Sequence, residues 1–296
     1  MLYDVIIIGK GPAGLSASIY TARGNLKTLI IGKESMLRLG SVIENFCCAP
    51  QVSGEELIRT GIEQAKKFGV EMVEEEVLSI NKEKYFKIVT DLAEYQAEAI
   101  ILATGKLRDK IAIENLNKFE GQGVHYCVTC DGFFYKNKKV GILGYKDYAV
   151  HELSEITSYT KDVTLYTNGH ELKVNYKSRQ FLKENPIDVK KRPITSLEGD
   201  NNGLNKIVFE HGEEKDIDGL FIAYSSASSI DFALKLGIAM KDDFIMVDNR
   251  QKTNIEGLFA AGDCTGGLAQ VATAVGQGAV AGQNAKDYIK SINKTI

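Results

Sequence analysis

Gly9-Lys10-Gly11-Pro12-Ala13-Gly14 is the stretch on which the fold turns. Before it, Tyr3 to Ile8 reads as a buried strand; after it, Leu15 to Arg23 reads as a helix and Thr28 to Ile31 as a second strand. A G-x-G-x-x-G pattern between strand and helix, inside one βαβ unit, is the fingerprint of a dinucleotide-binding fold. Its glycines let the backbone approach a pyrophosphate, whose charge sits at the helix N-terminus. The alternative is a Gly-rich turn without a ligand, and the strand–turn–helix context speaks against it.

Outward from this unit, the pattern predicts a helix from about Gly54 to Phe68 and strand-like segments around Val70 to Ile80 and Tyr85 to Thr90. The apolar strand Ala99 to Ala103 runs into Thr104-Gly105. After a linker near Leu107 to Ile111 the pattern restarts: strand Lys139 to Leu143, turn Gly144 to Asp147, helix Tyr148 to Tyr159, strand Asp162 to Tyr166. A second dinucleotide-type βαβ unit makes the chain a degenerate internal repeat of fold. Strands near Lys206 to Glu210 and Gly219 to Tyr224 close that domain, and Ser225-Ser226-Ala227-Ser228-Ser229 reads as a return linker. The last third carries a short strand within Gly257-Leu258-Phe259-Ala260-Ala261-Gly262-Asp263 and a long Ala/Gly-rich helix, about Gln270 to Ile289. Asp263, at a strand end beside a helix N-terminus, stands where ribose or phosphate groups of a dinucleotide lie. The expectation is an α/β fold with two Rossmann-like domains: a discontinuous one, residues 1–108 and 230–296, and an inserted one, residues 109–229.

The 296 residues suit two domains of about 100 to 200 residues each. With 44% hydrophobic and 25% charged residues, the chain is unlike a disordered, fibrous or membrane protein. A net charge of -3 supplies no basic field for nucleic acid, and no polybasic tract suggests a membrane surface. The N-terminus enters its first strand without a basic n-region or cleavage site, and no apolar run reaches the roughly 18 residues of a spanning helix, so a cytoplasmic protein is expected. The five cysteines, Cys47, Cys48, Cys127, Cys130 and Cys264, are an odd number and do not describe a structural disulfide framework. One Cys-x-x-Cys without a second pair or nearby His pair cannot complete a zinc site, so no metal is expected. The cysteines point to redox chemistry or to nothing.

Four motifs, Gly9-x-Gly11-x-x-Gly14, Ala103-Thr104-Gly105, Cys127-Val128-Thr129-Cys130-Asp131-Gly132 and Gly257 to Asp263, succeed one another in this order. In them the chain resembles the low-molecular-weight thioredoxin reductases, from the first strand to the final helix. The resemblance implies non-covalent FAD on the discontinuous domain, its pyrophosphate at Gly9, Gly11, Pro12, Ala13 and Gly14 and its ribityl chain near Gly262 and Asp263. It further implies cofactor contacts at Gly32, Lys33 and Val77, at Ala103, Thr104 and Gly105, at Asn45 close to the flavin, and at Gln270 and Val271 facing the isoalloxazine. Two local departures are Cys47-Cys48, where the family usually has Pro-Gly, and Ala269, where it often has Arg.

Two cysteines separated by two residues close a small disulfide ring without much backbone strain, and the thiolate is the reactive form. By resemblance, Cys130 lies next to the flavin and Cys127 attacks the partner disulfide. Asp131 comes immediately after and could hold or deliver the proton that leaving thiolates require; His125 is a second candidate. The alternatives are a solvated turn carboxylate and a packing histidine. Cys264 reads as a small buried residue. Cys47 and Cys48 read as loop residues, since adjacent cysteines rarely bridge each other.

A typical member of the family takes hydride from NADPH through a Gly-x-Gly-x-x-Ala turn and a basic cluster for the 2′-phosphate. This chain has Gly144-Tyr145-Lys146-Asp147-Tyr148-Ala149 and then Thr167-Asn168-Gly169 where the family carries His-Arg-Arg; Tyr224 to Ser228 also lacks the family's Gly and Pro. A side chain at the central glycine fills the space where backbone and pyrophosphate meet, and no cation remains for the ribose phosphate. NADPH is therefore not expected. In these departures the chain resembles the ferredoxin-linked, pyridine-nucleotide-independent flavin thioredoxin reductases, which implies electrons from ferredoxin through FAD to the Cys127/Cys130 disulfide and on to thioredoxin. Lys136, Lys138, Lys139 or Lys190, Lys191, Arg192 could dock an acidic partner, although such runs are more often solvated surface. The alternatives are an NAD(P)H-dependent reductase with an atypical nucleotide site, and a flavin-binding redox sensor without turnover. The resemblance also implies a homodimer and a rotation of one domain during turnover.

Overall fold

The computed structural model describes residues 1–38, 42–47, 49, 51–105 and 111–293. The chain divides into two units, Met1–Leu107 with Ser228–Ile296, and Arg108–Ala227.

In the first unit, strand Leu2–Ile8 lies between two parallel neighbours: Val5 stands opposite Thr28 of strand Thr28–Ile31 and opposite Ala99 of strand Glu94–Leu102. Both faces of this strand are covered, which is why it reads as a continuous apolar run; Val5, Ile6 and Ile7 are fully buried. Glu71–Val73 extends the sheet on one side, and the antiparallel strands Phe86–Thr90 and Val77–Lys82 extend it on the other. Strand Leu258–Ala260, from the far end of the chain, joins in parallel on Glu94–Leu102. The helix Pro12–Arg23 packs on the long helix Val271–Asn293 at very close range. A Cβ on Gly278 would fall 2.2 Å from the Ala13 carbonyl oxygen, and one on Gly282 2.4 Å from that of Ala17. Residues four apart share a helix face, so the Ala/Gly richness of this helix is the condition for its approach.

Several boundaries differ from the sequence reading, each for a local reason. The fingerprint helix begins at Pro12 rather than Leu15, because a proline at the first helical position has its φ preset and gives up an N–H that has no intrahelical partner anyway. The segment Val70 to Ile80 is two strands, one pairing with Thr28–Ile31 and the other with Phe86–Thr90. The end of the expected return linker already belongs to helix Ser229–Leu236: Ser228 Oγ accepts the Asp231 N–H at 3.4 Å while Asp231 Oδ2 accepts the Ser228 N–H at 2.7 Å, a reciprocal cap. Residues 107–110 of the expected first linker, and Cys48, lie outside the described residues.

The second unit is built on five strands, all pairing in parallel, in the order Asp188–Lys190, Val163–Tyr166, Val140–Leu143, Gly219–Ile222, Val124–His125. Helix Asp147–Ile156 crosses between the second βαβ pair, as the pattern predicts, one residue earlier at its start than Tyr148. The predicted strand near Lys206 to Glu210 does not enter this sheet. As Gly203–Phe209 it is the middle of a separate antiparallel sheet with Ile194–Asp200 and Glu214–Asp216. The short edge strand Val124–His125 delivers the chain directly to Cys127.

Candidate functional site

The three fingerprint glycines of the first unit differ in what surrounds them. Gly9 has φ +117°, and a Cβ there would lie 2.1 Å from the Ala103 carbonyl oxygen. A Cβ on Gly14 would lie 2.0 Å from the Gly9 carbonyl oxygen. Gly11 is different: its nearest neighbour would be Ser35 Oγ at 3.9 Å, so nothing in the protein demands a glycine. It caps helix Pro12–Arg23 without any side-chain hydrogen bond to the first turn, whose amides stay open for an anion. Thr104 Oγ1, at the end of the neighbouring strand, is buried without a hydrogen-bond partner. Open space at Gly11, an uncapped helix start and an orphaned hydroxyl fit a bound dinucleotide.

The remaining expected contacts distribute around this edge. Ala103, Thr104 and Gly105, the last with φ +71°, leave the end of strand Glu94–Leu102. Gly32 comes just after strand Thr28–Ile31, and a Cβ there would be 3.1 Å from the Lys10 amide nitrogen. Lys33 makes ion pairs with Glu76 at 2.9 Å and Asp91 at 3.4 Å, and Val77 opens strand Val77–Lys82. Asn45 Nδ2 donates to Gln270 Oε1 at 2.9 Å, joining residues 225 positions apart immediately before helix Val271–Asn293. Gly262, with φ +84°, donates its N–H to Gln277 Oε1 at 2.8 Å. Asp263 is exposed and begins a single turn, Asp263–Thr265, rather than ending the strand. The Lys10 ion pair with Glu74 at 2.5 Å escaped the sequence reading, since a lysine inside the fingerprint carries no signal of its partner. Cys264 is fully buried; burial pushes its thiol up to about 11, and it faces the Ala261 carbonyl at 3.4 Å, as an inert core thiol does. Cys47 is exposed.

In the second unit Cys127 and Cys130 are joined as a disulfide with Cα atoms 5.3 Å apart. Cys127 caps the one-turn helix Val128–Asp131 and is 2% exposed, whereas Cys130 is exposed. Asp131 Oδ2 lies 3.1 Å from His125 Nδ1, so the two proton candidates of the sequence form one pair. His125 Nε2 in turn meets the Tyr135 hydroxyl at 2.7 Å. Burial foremost, then the negative charges of Asp131 and Asp218, push the Tyr135 phenol up to about 12. Glu152, 2% exposed on helix Asp147–Ile156, accepts the Val128 N–H at 3.1 Å and ties the disulfide turn to the second βαβ unit. Tyr135 and Glu152 were not singled out from sequence; a charged residue within a buried helix face was the one available hint for the latter.

The turn Gly144 to Ala149 keeps the backbone role of its first glycine, whose Cβ would lie 2.0 Å from the Ala223 carbonyl oxygen. Beyond that glycine, side chains fill the turn. Tyr145 stacks on His170 with centroids 4.2 Å apart and planes at 19°, Tyr224 closes edge-on at 5.5 Å from Tyr145, and the Tyr224 hydroxyl meets His170 Nε2 at 2.8 Å. Lys146 reaches Ser226 Oγ at 3.4 Å. Lys190 and Asp188 pair at 3.2 Å, and Lys191 and Arg192 pair with Glu171 and Glu213, so that basic run is locally neutralised. Lys136, Lys138 and Lys139, close in sequence to the disulfide, are all exposed. Among the described residues no cluster of His, Cys, Asp or Glu is arranged to hold a metal ion, and no helix is long and apolar enough to cross a membrane.

Known proteins share this sequence pattern and this geometry. A family model described as pyridine nucleotide-disulphide oxidoreductase matches residues 3–278. A thioredoxin reductase of Listeria monocytogenes is 33% identical, the match covering all of this chain and 96% of the relative. The crystal structure of the atypical thioredoxin reductase TRi from Desulfovibrio vulgaris Hildenborough superposes with a TM-score of 0.94 at 42% identity, covering 97% of this chain and 98% of that one. A ferredoxin-flavin thioredoxin reductase from Clostridium acetobutylicum has a TM-score of 0.72 at 30% identity, over 98% and 99% of the two chains.

Proposed function

The chain belongs to the pyridine nucleotide-disulphide oxidoreductases and, within them, to the thioredoxin reductases, flavoproteins that reduce a disulfide; from that membership we propose that it is driven by reduced ferredoxin, without NADPH, and passes two electrons through the Cys127/Cys130 pair to thioredoxin. The observation that carries the donor assignment is the Tyr145–His170–Tyr224 cluster with Lys146 in the turn that would otherwise cradle a nucleotide. A dinucleotide turn works by bare backbone amides at the helix start. Here an aromatic stack and a lysine chain stand beside that start, and Thr167-Asn168-Gly169 offers no cation for a 2′-phosphate. The likeness to the Clostridium enzyme, a ferredoxin-flavin thioredoxin reductase, supports the same reading.

FAD, when bound, supplies a store that can take electrons singly and hand them on in pairs. Gly9, Gly11 and Gly14 with the open amides of the helix start would hold its pyrophosphate, and the buried Thr104 hydroxyl would be free to hydrogen-bond the cofactor. Of the protein's own groups, Cys127 is assigned the attack on the thioredoxin disulfide and Cys130 the exchange with the flavin. Asp131 carries the proton of the thiol exchange. Because Cys127 is 2% exposed, its attack on a protein disulfide requires its surroundings to open first. The exposed Lys136, Lys138 and Lys139 are the better candidates for an acidic partner, because the other basic run is already paired. A cytoplasmic homodimer is the expected form.

A second reading, an NAD(P)H-dependent reductase with an atypical site, is favoured by the intact βαβ unit with its close Gly144 packing and by the likeness to the Listeria enzyme. Anaerobic assay with each donor separates the two: turnover of thioredoxin with reduced ferredoxin and none with NADPH or NADH supports the first reading, and the reverse pattern the second.

A further inference from the structure

We propose that His125 is the positioning residue of the thiol-exchange step: its Nδ1–H holds Oδ2 of Asp131 and leaves the other carboxylate oxygen turned to the sulfur chemistry at Cys130. The inference rests on the reading of Asp131 as the proton carrier.

Asp131 ends a helix of one turn, and its side chain is 35% exposed. A carboxylate in that situation rotates and hydrates freely unless a partner fixes it. His125 is such a partner at 3.1 Å, with a side chain only 12% exposed. The imidazole is held by two further side chains, Phe221 and Tyr135. Its ring stacks on Phe221 at 5.4 Å and 30°, meets the Tyr135 ring edge-on at 5.3 Å, and Nε2 meets the Tyr135 hydroxyl at 2.7 Å. The strand carrying it pairs in register with Phe221, so ring and backbone are fixed together.

The partners dictate the tautomer. An ionised carboxylate can only accept, so Nδ1 carries the hydrogen and Nε2 presents its lone pair. That lone pair needs a donor, and the Tyr135 hydroxyl is one; a phenol pushed up to about 12 keeps its proton throughout the neutral range. Asp131, His125 and Tyr135 thus form a chain in which each hydrogen bond sets the next.

The step served is resolution of the mixed disulfide between Cys127 and the substrate protein. The Cys130 thiol gives its proton to Asp131, and the Cys130 sulfur attacks the Cys127 sulfur. The Cys127–substrate S–S bond breaks as the Cys127–Cys130 bond forms. The departing substrate thiolate takes the proton from Asp131, so electrons and protons balance with no outside reagent.

The test is single-turnover exchange between dithionite-reduced, FAD-loaded protein and oxidised thioredoxin, monitored by the appearance of thioredoxin thiols. Asp131→Asn is expected to slow exchange by about a hundredfold or more, the scale of general acid–base catalysis. His125→Phe keeps a ring in the stack and is expected to slow it by about tenfold, the scale of one net hydrogen bond. His125→Asn places an amide N–H near the former Nδ1 and is expected to restore most of the rate. Flavin bleaching by dithionite should be unchanged in all three. Wild-type exchange in His125→Phe, or His125→Asn as slow as His125→Phe, overturns the proposal. Wild-type exchange in Asp131→Asn instead removes the Asp131 reading on which it rests. Should His125→Phe not fold, Tyr135→Phe leaves every ring in place and removes only the hydroxyl; about threefold slowing of the same step is expected for a weakened hydrogen bond, and an unchanged rate overturns the chain.

Discussion

Tyr145 lies over His170 with ring centroids 4.2 Å apart and planes inclined by 19°. Tyr145 belongs to the loop between strand Val140–Leu143 and helix Asp147–Ile156, which in a nucleotide-binding βαβ unit is bare backbone, and His170 to the stretch after strand Val163–Tyr166. The second unit keeps its parallel sheet and its crossover helix, and aromatic side chains from three loops meet beside the start of that helix. Glu152 gives that helix another task, since it holds the Val128 amide beside the disulfide.

Replacing Glu152 therefore tests whether the helix supports the disulfide. Glu152→Ala leaves a buried amide without its charged acceptor, which costs about 1 to 3 kcal/mol. The thermal midpoint is expected to fall by several degrees, and the disulfide to become more susceptible to reduction by dithiothreitol. An unchanged midpoint and reduction rate would show that the contact is incidental.

The glycines of the fingerprint separate folding from cofactor binding. Gly14→Ala places a methyl group 2.0 Å from a carbonyl oxygen, so loss of soluble folded protein is expected. Gly11→Ala meets no protein atom nearer than 3.9 Å, so the fold should persist while FAD affinity drops by about tenfold or more through the blocked approach. Circular dichroism together with the FAD content of purified protein checks both, and full FAD loading of Gly11→Ala would contradict the placement.

Serine replacements distinguish the two sulfurs. Cys130→Ser is expected to accumulate a mixed disulfide between Cys127 and thioredoxin, visible as a shifted band on non-reducing gels, and Cys127→Ser is not. Trapping by Cys127→Ser alone would reverse the assignment, in line with the greater exposure of Cys130.

Alkaline pH should destabilise the fold through its tyrosines. Burial, joined by neighbouring carboxylates, pushes Tyr3, Tyr95 and Tyr135 up to about 12, and burial does the same for Tyr166. Between the ordinary phenol value of 10.0 and about 12 the unfolded chain has lost these protons and the folded chain has kept them. Folded protein then binds more protons than unfolded protein, so stability is fully present below about pH 10 and is lost as pH rises through about 12. Denaturation midpoints measured from about pH 9 to about pH 12 check this, with the ultraviolet absorbance of ionised tyrosine tracking unfolding; a flat profile would contradict it.

Range decides what the sequence revealed and what it hid. The glycines Gly9 to Gly14 and the Cys127/Cys130 disulfide depend on local backbone geometry, which a local pattern can express. The loss of the central glycine at Lys146 was equally legible. Its aromatic filling was not, because Tyr145, His170 and Tyr224 meet only when three parallel strand ends come together. The hydrogen bond between Asn45 and Gln270 spans 225 positions, so local pattern does not show it, and the two residues enter the sequence reading only through the family resemblance. The antiparallel strand Gly203–Phe209 has the composition of a sheet strand, and composition does not say which sheet it joins. The His125–Asp131 pair is short in sequence, but which residues face each other after a one-turn helix depends on packing against Phe221.

The most direct test is anaerobic stopped-flow absorbance of the FAD-loaded protein mixed in turn with NADPH, NADH and reduced ferredoxin, with thioredoxin thiols quantified at the end. The oxidised flavin band is expected to persist with either nucleotide, and reduced ferredoxin to bleach it and yield thioredoxin thiols. Rapid bleaching by NADPH or NADH would contradict it.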